Sequence, residues 1–206
     1  MRVTRETRER TRRAILAAAE ERFAATGFGA ATTREIALAA GIAAGTLFNY
    51  FPSKETLGMA LLVSAGEVAE AEFDATRREG ESLEETMFAL VAIQLRHFGP
   101  YRAWVGEVLD AVWSPLATGG GESEAAGFRI RHLDRVQALL QHAGMVGLEE
   151  CVLDQHLYWT LYVGTLSFWA RDTSEHQEAT LAFLDRSTGL FCRSLRERAP
   201  LKTGGE

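Results

Sequence analysis

The side chains in this 206-residue chain best suited to chemistry are cations, and they crowd one end. Arg2, Arg5, Arg8, Arg10, Arg12 and Arg13 all fall within the first 13 residues. From Met1 to Lys54 nine basic residues stand against five acidic ones, a net charge of +4, whereas the remaining 152 residues carry 13 basic and 23 acidic groups, a net of -10. The overall charge of -6 therefore hides a basic head that suits a polyanion and an acidic body that does something else. Glu6 and Glu9 pair with arginines of the same turns, which makes about half of the cluster a solvated helix face. The other half remains available to phosphates.

Other chemistries find no constellation. Cys151 and Cys192 lie 41 positions apart with no Cys-x-x-Cys, and Cys151 precedes His156 by five residues, off its helical face. Such spacing proposes neither a disulfide framework nor a nucleophile beside its base. His97, His132, His142 and His156 are scattered, so no metal and no cofactor are expected, and the chain does not read as an enzyme. With 47% hydrophobic and 24% charged residues the composition is that of a globular protein. The charged N-terminus is not expected to act as a secretory signal, and no run reaches the ~20 apolar residues of a membrane span. A cytoplasmic protein with no membrane partner is expected.

The elements that must position these residues are helices. Only Pro52, Pro100, Pro115 and Pro200 interrupt a chain whose apolar residues recur at helical spacing. The pattern predicts an all-α protein of about nine helices. The first runs over Thr4–Thr26, with Ile15, Ala18, Ala19 and Phe23 on one face and Gly27 at its end. A short second helix starts at Thr32, which forms a Thr-x-x-Glu capping box with Glu35 and stops near Ala40. A third covers Ala44–Tyr50, since Pro52 forbids continuation, and Ser53 caps a fourth that reaches about Arg78. Later helices are expected over Leu83–Phe98, Tyr101–Trp113, Glu124–His142, Glu149–Arg171 and Glu175–Arg198, with a mobile glycine-rich loop at Thr118–Ser123.

The most specific segment is Thr32–Leu57, TTREIALAAGIAAGTLFNYFPSKETL. Two short helices joined by Ala40-Gly41-Ile42 match a helix-turn-helix, with Ile36, Ala37, Ile42 and Leu47 packing the corner. Its second helix would enter the major groove while the first crosses the backbone. Phe51 reads as core, and Tyr50 with Lys54 one turn on as an exposed donor pair.

This segment resembles the TetR family of bacterial transcription regulators. The agreement runs through Ile36-Ala37, Ala40-Gly41-Ile42-Ala43, Gly45-Thr46-Leu47-Phe48, Tyr50-Phe51, Ser53-Lys54 and Leu57. The resemblance covers roughly the first 60 residues and implies a DNA-binding domain at 1–54 followed by a helical ligand-binding and dimerisation domain at 55–206. By position, Thr32, Thr33 and Arg34 would meet phosphate or a base, and Thr46, Tyr50 and Lys54 would anchor the backbone. Gly45 would let the helix lie close to DNA, and Ala44, Phe48 and Asn49 would face the groove, where an apolar group touches a thymine methyl and an asparagine pairs with adenine. Two departures thin this readout. Ala43 stands where the family often has a capping Ser, and Phe48 where it often has Tyr.

For the body the resemblance implies a homodimer built by the last two long helices. Leu181, Leu184, Thr188, Phe191 and Leu195 follow 3-4 spacing, and Gly164 and Ser167 permit close approach. The competing reading keeps that whole face inside one chain. A pocket for a small apolar or aromatic inducer is expected among Tyr101, Trp104, Trp113, Tyr158, Trp159 and Tyr162, which join apolar bodies to polar tips. The resulting expectation is a dimeric repressor that binds a palindromic double-stranded DNA operator and is released by a ligand. Two further readings stay open: a helical small-molecule carrier or enzyme with a vestigial DNA-binding head, and an activator or nucleoid-organising protein without a ligand.

Overall fold

A computed structural model describes residues 4–112, 124–145 and 152–197. Its elements are α1 (Arg5–Thr26), α2 (Thr33–Ala39), α3 (Ala44–Phe48), α4 (Lys54–Thr76), α5 (Leu83–Phe98), α6 (Val105–Val112), α7 (Glu124–His142), α8 (Val152–Arg171) and α9 (Glu178–Glu197). Short 3-10 turns at Gly99–Tyr101 and Glu175–Gln177 precede α6 and α9. The fold is all-α. Trp113, Cys151 and the glycine-rich stretch 118–123 lie outside the described residues, as does the far end expected for the last helix. Contacts divide the chain into two compact units, Met1–Val68 with His97–Phe128, and Ala69–Arg96 with Arg129–Glu206.

In the first unit, local chemistry sets the helix ends. The Thr4 hydroxyl accepts from the Thr7 N–H, and α1 ends where Gly27 takes φ 82° and donates to the Phe23 carbonyl. At α2 the Thr32 hydroxyl accepts from the Glu35 N–H while the Glu35 carboxylate accepts from the Thr32 N–H, the expected reciprocal cap. Gly41, at φ 69°, closes α2. Its N–H donates to the Leu38 carbonyl and that of Ile42 to Ala37, a Schellman ending that turns the chain into α3. Ala43 offers α3 no side-chain cap. Ser53 and Thr56 then cap α4 reciprocally.

The apolar face of α1 buries Ile15, Leu16, Ala18, Ala19 and Phe23, while Ile36, Ala37, Leu47 and Phe51 close the corner of the helix pair. Ile42, expected with them, is only half-buried. Phe23, Phe28 and Trp104 form an aromatic cluster with centroids 4.8 to 5.4 Å apart. Gly58 of α4 lies against it, where an added Cβ would stand 2.7 Å from Val108 Cγ2 and 3.1 Å from Trp104 Cζ3. Close approach is what this glycine supplies.

In the second unit, Ser82 and Glu85 form another capping box at the start of α5. Gly144 ends α7 at φ 71° in the same way that Gly41 ends α2. The expected single helix from Glu175 is interrupted because His176 and Gln177 take positive φ, 49° and 60°. Two partners hold that reversal. Asp172 accepts from the Ser174 and Thr180 N–H groups and the Thr180 hydroxyl, and Trp169 donates to the Gln177 side chain.

Candidate functional site

The helix pair α2–α3 presents a face made of the residues that the sequence singled out. Arg34, Gly45, Phe48 and Asn49 are exposed, and Thr33, Ala44, Thr46 and Tyr50 are half-buried. Leu38, 79% exposed, adds an apolar group at the end of α2 that sequence reading passed over. Phe48 is 49% exposed although it sits one residue from the fully buried Leu47, so it has an apolar ring that the fold itself does not use. Gly45 is equally unused. Its backbone needs no positive φ and an added Cβ would meet nothing within 4 Å, yet glycine inside a helix costs about 1 kcal/mol against alanine.

Not every candidate donor is free to reach outward. The Thr32 hydroxyl gives its proton to Glu35, 2.8 Å away. Those bonds hold the Glu35 carboxyl below its usual range. The N–H groups of Thr33 and Arg34, at the first turn of α2, are left over by the cap and suit an anion. Lys54 Nζ donates to the Phe28 and Gly29 carbonyls at 2.6 and 3.1 Å and lies 4.7 Å from the Phe28 ring centre. It ties the segment after α1 to the start of α4.

The arginine cluster divides as its charges suggest. The Arg12 guanidinium stacks on the Phe51 ring and pairs with Glu124 at 2.6 Å, so its charge is neutralised within the unit. Arg8 stands 5.8 Å over the Tyr50 ring. A cation is thereby set beside the end of α3. Arg5, Arg10 and Arg13 are exposed on α1.

Of the six aromatics expected around one ligand, five lie among the described residues, two in the first unit and three in the second. Trp104 packs into the Phe23 and Phe28 cluster, and Tyr101 donates to Glu20 at 2.6 Å, both within the first unit. Trp113 is outside the described residues. Tyr158, Trp159 and Tyr162 belong to α8, where Trp159 lies under the Arg129 guanidinium. Tyr158 and Tyr162 line a cavity of about 20 Å³ enclosed by α5, α8 and α9, room for about one water molecule.

Behind those two tyrosines runs a buried polar chain that sequence reading missed. Tyr162 donates to Gln94 Oε1 at 3.2 Å, Gln94 Nε2 lies 3.2 Å from His132 Nδ1, and His132 Nε2 lies 2.8 Å from the Tyr158 hydroxyl. All four side chains are buried. Burial drives His132 down to about 3 from an ordinary 6.5 and raises both phenols, so the chain is neutral. Only Gln94, an amide within the apolar stretch of α5, could have signalled it.

The residues expected at a dimer interface fall into two sets. Leu184, Thr188, Phe191 and Leu195 are buried inside the second unit, the first three on the cavity wall. The apolar area of these four is covered within the chain's own unit, with Met87 and Val91 of α5 and Tyr158 and Tyr162 of α8 on the same cavity wall. Gly164 and Ser167 instead line an open groove with Phe168 and Phe183, whose rings stack at 5.1 Å. Leu181, Leu190, Leu153 and Leu157 are also exposed. An apolar surface on α8 and α9 thus remains uncovered by the chain's own unit. Among the described residues no helix is long and apolar enough to cross a membrane.

Residues 15–61 match the family described as bacterial regulatory proteins, tetR family. Solved structures of such regulators share the fold over nearly the whole chain. FadR of Thermus thermophilus, a TetR-family transcriptional repressor in complex with lauroyl-CoA, is 22% identical with a TM-score of 0.65, covering 94% of this chain and 100% of that one. A TetR regulator from Rhodococcus sp. RHA1 is 21% identical with a TM-score of 0.67, over 89% and 97%. RolR in complex with resorcinol is 18% identical with a TM-score of 0.60, over 96% and 98%. No curated protein matches the sequence.

Proposed function

From a chain whose residues 15–61 are a tetR-family regulatory domain, we propose a homodimeric transcriptional repressor that binds a palindromic operator and is released by a small apolar or aromatic ligand. The observation that carries the DNA-binding part is the α2–α3 face. It combines a helix glycine that the fold does not need, an apolar ring left outside, and Arg34 and Asn49 as polar readers. Each feature is unfavourable or idle within the protein and useful against a groove.

Arg34 and Asn49 read base edges or phosphates, Phe48 and Ala44 touch thymine methyls, and the Thr33 and Arg34 N–H groups meet a phosphate. Because polar readers are few, DNA shape contributes much of the specificity. Arg8, beside Tyr50, adds to the electrostatic term. Dimerisation uses the exposed faces of α8 and α9, with Gly164, Ser167, Phe168 and Leu181 at its centre. The cavity behind α8 holds the ligand after widening, since an ordinary small-molecule site occupies about 300 to 1,000 Å³.

Leu161, Tyr162 and Thr165 of the cavity wall and Gly164 and Phe168 of the proposed interface lie on the same helix. A ligand that pushes on one face of α8 therefore acts on the dimer contact formed by the other. A dimer so altered no longer spaces its recognition helices for successive major grooves, about 34 Å apart. Coupling of about 1 to 3 kcal/mol shifts DNA affinity about 5- to 150-fold.

The test is a titration of operator duplex, obtained by selection, at about physiological salt. Arg34→Ala is expected to weaken that binding by about 1 to 3 kcal/mol while changing binding to random duplex far less. Equal losses on both duplexes would reduce Arg34 to a phosphate contact, and no loss on either would remove it from the interface.

A further inference from the structure

The hydrogen-bond chain behind α8 has a direction, and it ends on the Tyr158 hydroxyl, whose own hydrogen the chain does not use. An amide nitrogen only donates, so Gln94 Nε2 gives a hydrogen to His132 Nδ1. The neutral imidazole then carries its own proton on Nε2 and donates it to the Tyr158 oxygen, 2.8 Å away. Tyr158 accepts in this chain, and its hydroxyl hydrogen must find an acceptor elsewhere. Tyr158 also lines the small cavity. The other groups around that cavity offer little competition. Thr165 and Thr188 give their hydroxyl protons to the Leu161 and Leu184 carbonyls at 2.8 Å. Ser187 can rotate to give or to take. Met87, Val91 and Phe191 are apolar, and among the described residues no charged side chain lines the space.

Building on the ligand-responsive reading above, we propose that this cavity selects neutral, largely apolar molecules that bear a hydrogen-bond acceptor oxygen, a carbonyl or ether, which takes the Tyr158 hydroxyl proton. A hydrocarbon of the same shape leaves the phenol hydrogen unsatisfied in an enclosed site. A carboxylate accepts the bond but buries its charge without a cation beside it, and His132 does not supply one because burial keeps its ring neutral. An ammonium brings a charge and only donors.

Two measurements on the full chain test this. Long-range 1H–15N spectra of the histidines are expected to report His132 neutral with its proton on Nε2 from pH 5 to 8. A proton on Nδ1 reverses the chain and overturns the proposal, whatever any ligand does. Calorimetric titration then compares acetophenone, α-methylstyrene, its near-isosteric hydrocarbon, and benzoate. Acetophenone is expected to bind at least about 3-fold and up to about 10-fold more tightly than α-methylstyrene, the worth of one neutral hydrogen bond, with benzoate weaker than either. Tyr158→Phe is expected to erase that margin. Equal binding of the first two, a margin that survives Tyr158→Phe, or no binding by any probe would overturn the proposal. If Tyr158→Phe does not fold, the tautomer decides. Should acetophenone show the expected preference yet leave operator binding unchanged, the selectivity stands and the reading of this cavity as the regulatory site falls.

Discussion

His132 is a base held away from water, and burial disfavours its charged form. Unfolded, its imidazole protonates near the ordinary 6.5, whereas in the fold it stays neutral down to about 3. Between those values the unfolded chain binds a proton that the folded chain refuses, so stability falls as pH drops from about 6.5. One proton sets the slope, at most about 1.4 kcal/mol per pH unit. Denaturant unfolding of wild type and His132→Gln at pH 7 and pH 5 checks it: the wild type is expected to lose more on acidification. Parallel losses would mean that the histidine is not buried neutral. Gly45 and Gly58 make the complementary point about a residue type. A Cβ at Gly45 meets nothing and one at Gly58 strikes Val108, Phe28 and Trp104. Gly45→Ala is expected to stabilise by up to about 1 kcal/mol and to weaken operator binding. Gly58→Ala is expected to destabilise by about 1 to 2 kcal/mol, overpacking offset by helix propensity. Thermal melts with matched DNA titrations separate the two, and a Gly45→Ala protein that binds as well as wild type would mean that DNA does not approach that helix closely.

At the scale of elements, what could be read from the sequence is what short-range chemistry decides. The Thr32–Glu35 box, Gly27, Gly41 and the Ser53 cap each act within a turn, so α1 to α4 begin and end within about two residues of their expected bounds, and α5 and α7 have the expected ends. The break before α9 was not legible. It depends on Asp172 and Trp169 reaching across to hold His176 and Gln177 in left-handed backbone, and no propensity of those two residues announces it. Nor does periodicity name the neighbour that an apolar face will meet. Leu184, Phe191 and Leu195 repeat as an interface would, and they are buried within the chain's own unit. The apolar surface left uncovered is around Phe168, Leu181 and Gly164, and it is the one proposed for the partner. Phe168→Asp with Leu181→Asp is therefore expected to turn a dimer into a folded monomer in sedimentation at micromolar concentration. An unchanged dimer would place its interface elsewhere. The Tyr162–Gln94–His132–Tyr158 chain was hidden for a similar reason, since its members come from three helices and meet only after folding.

For the whole molecule, the uneven charge of the sequence acquires a physical meaning. The basic head carries an exposed α2–α3 face on which the fold makes no use of Gly45 or the Phe48 ring, and the acidic body carries a small, largely apolar cavity on one side of α8 and an uncovered apolar surface on the other. Operator binding by a dimer requires both surfaces at once, and the symmetry of the protein must then appear in its DNA. The direct measurement is selection from random duplexes by the purified protein at about physiological salt, where non-specific phosphate binding no longer dominates. The expected result is an enriched palindrome with half-sites about one helical turn apart, lost with Arg34→Ala and with the Phe168→Asp, Leu181→Asp protein. No enrichment by a folded, dimeric protein would contradict the account.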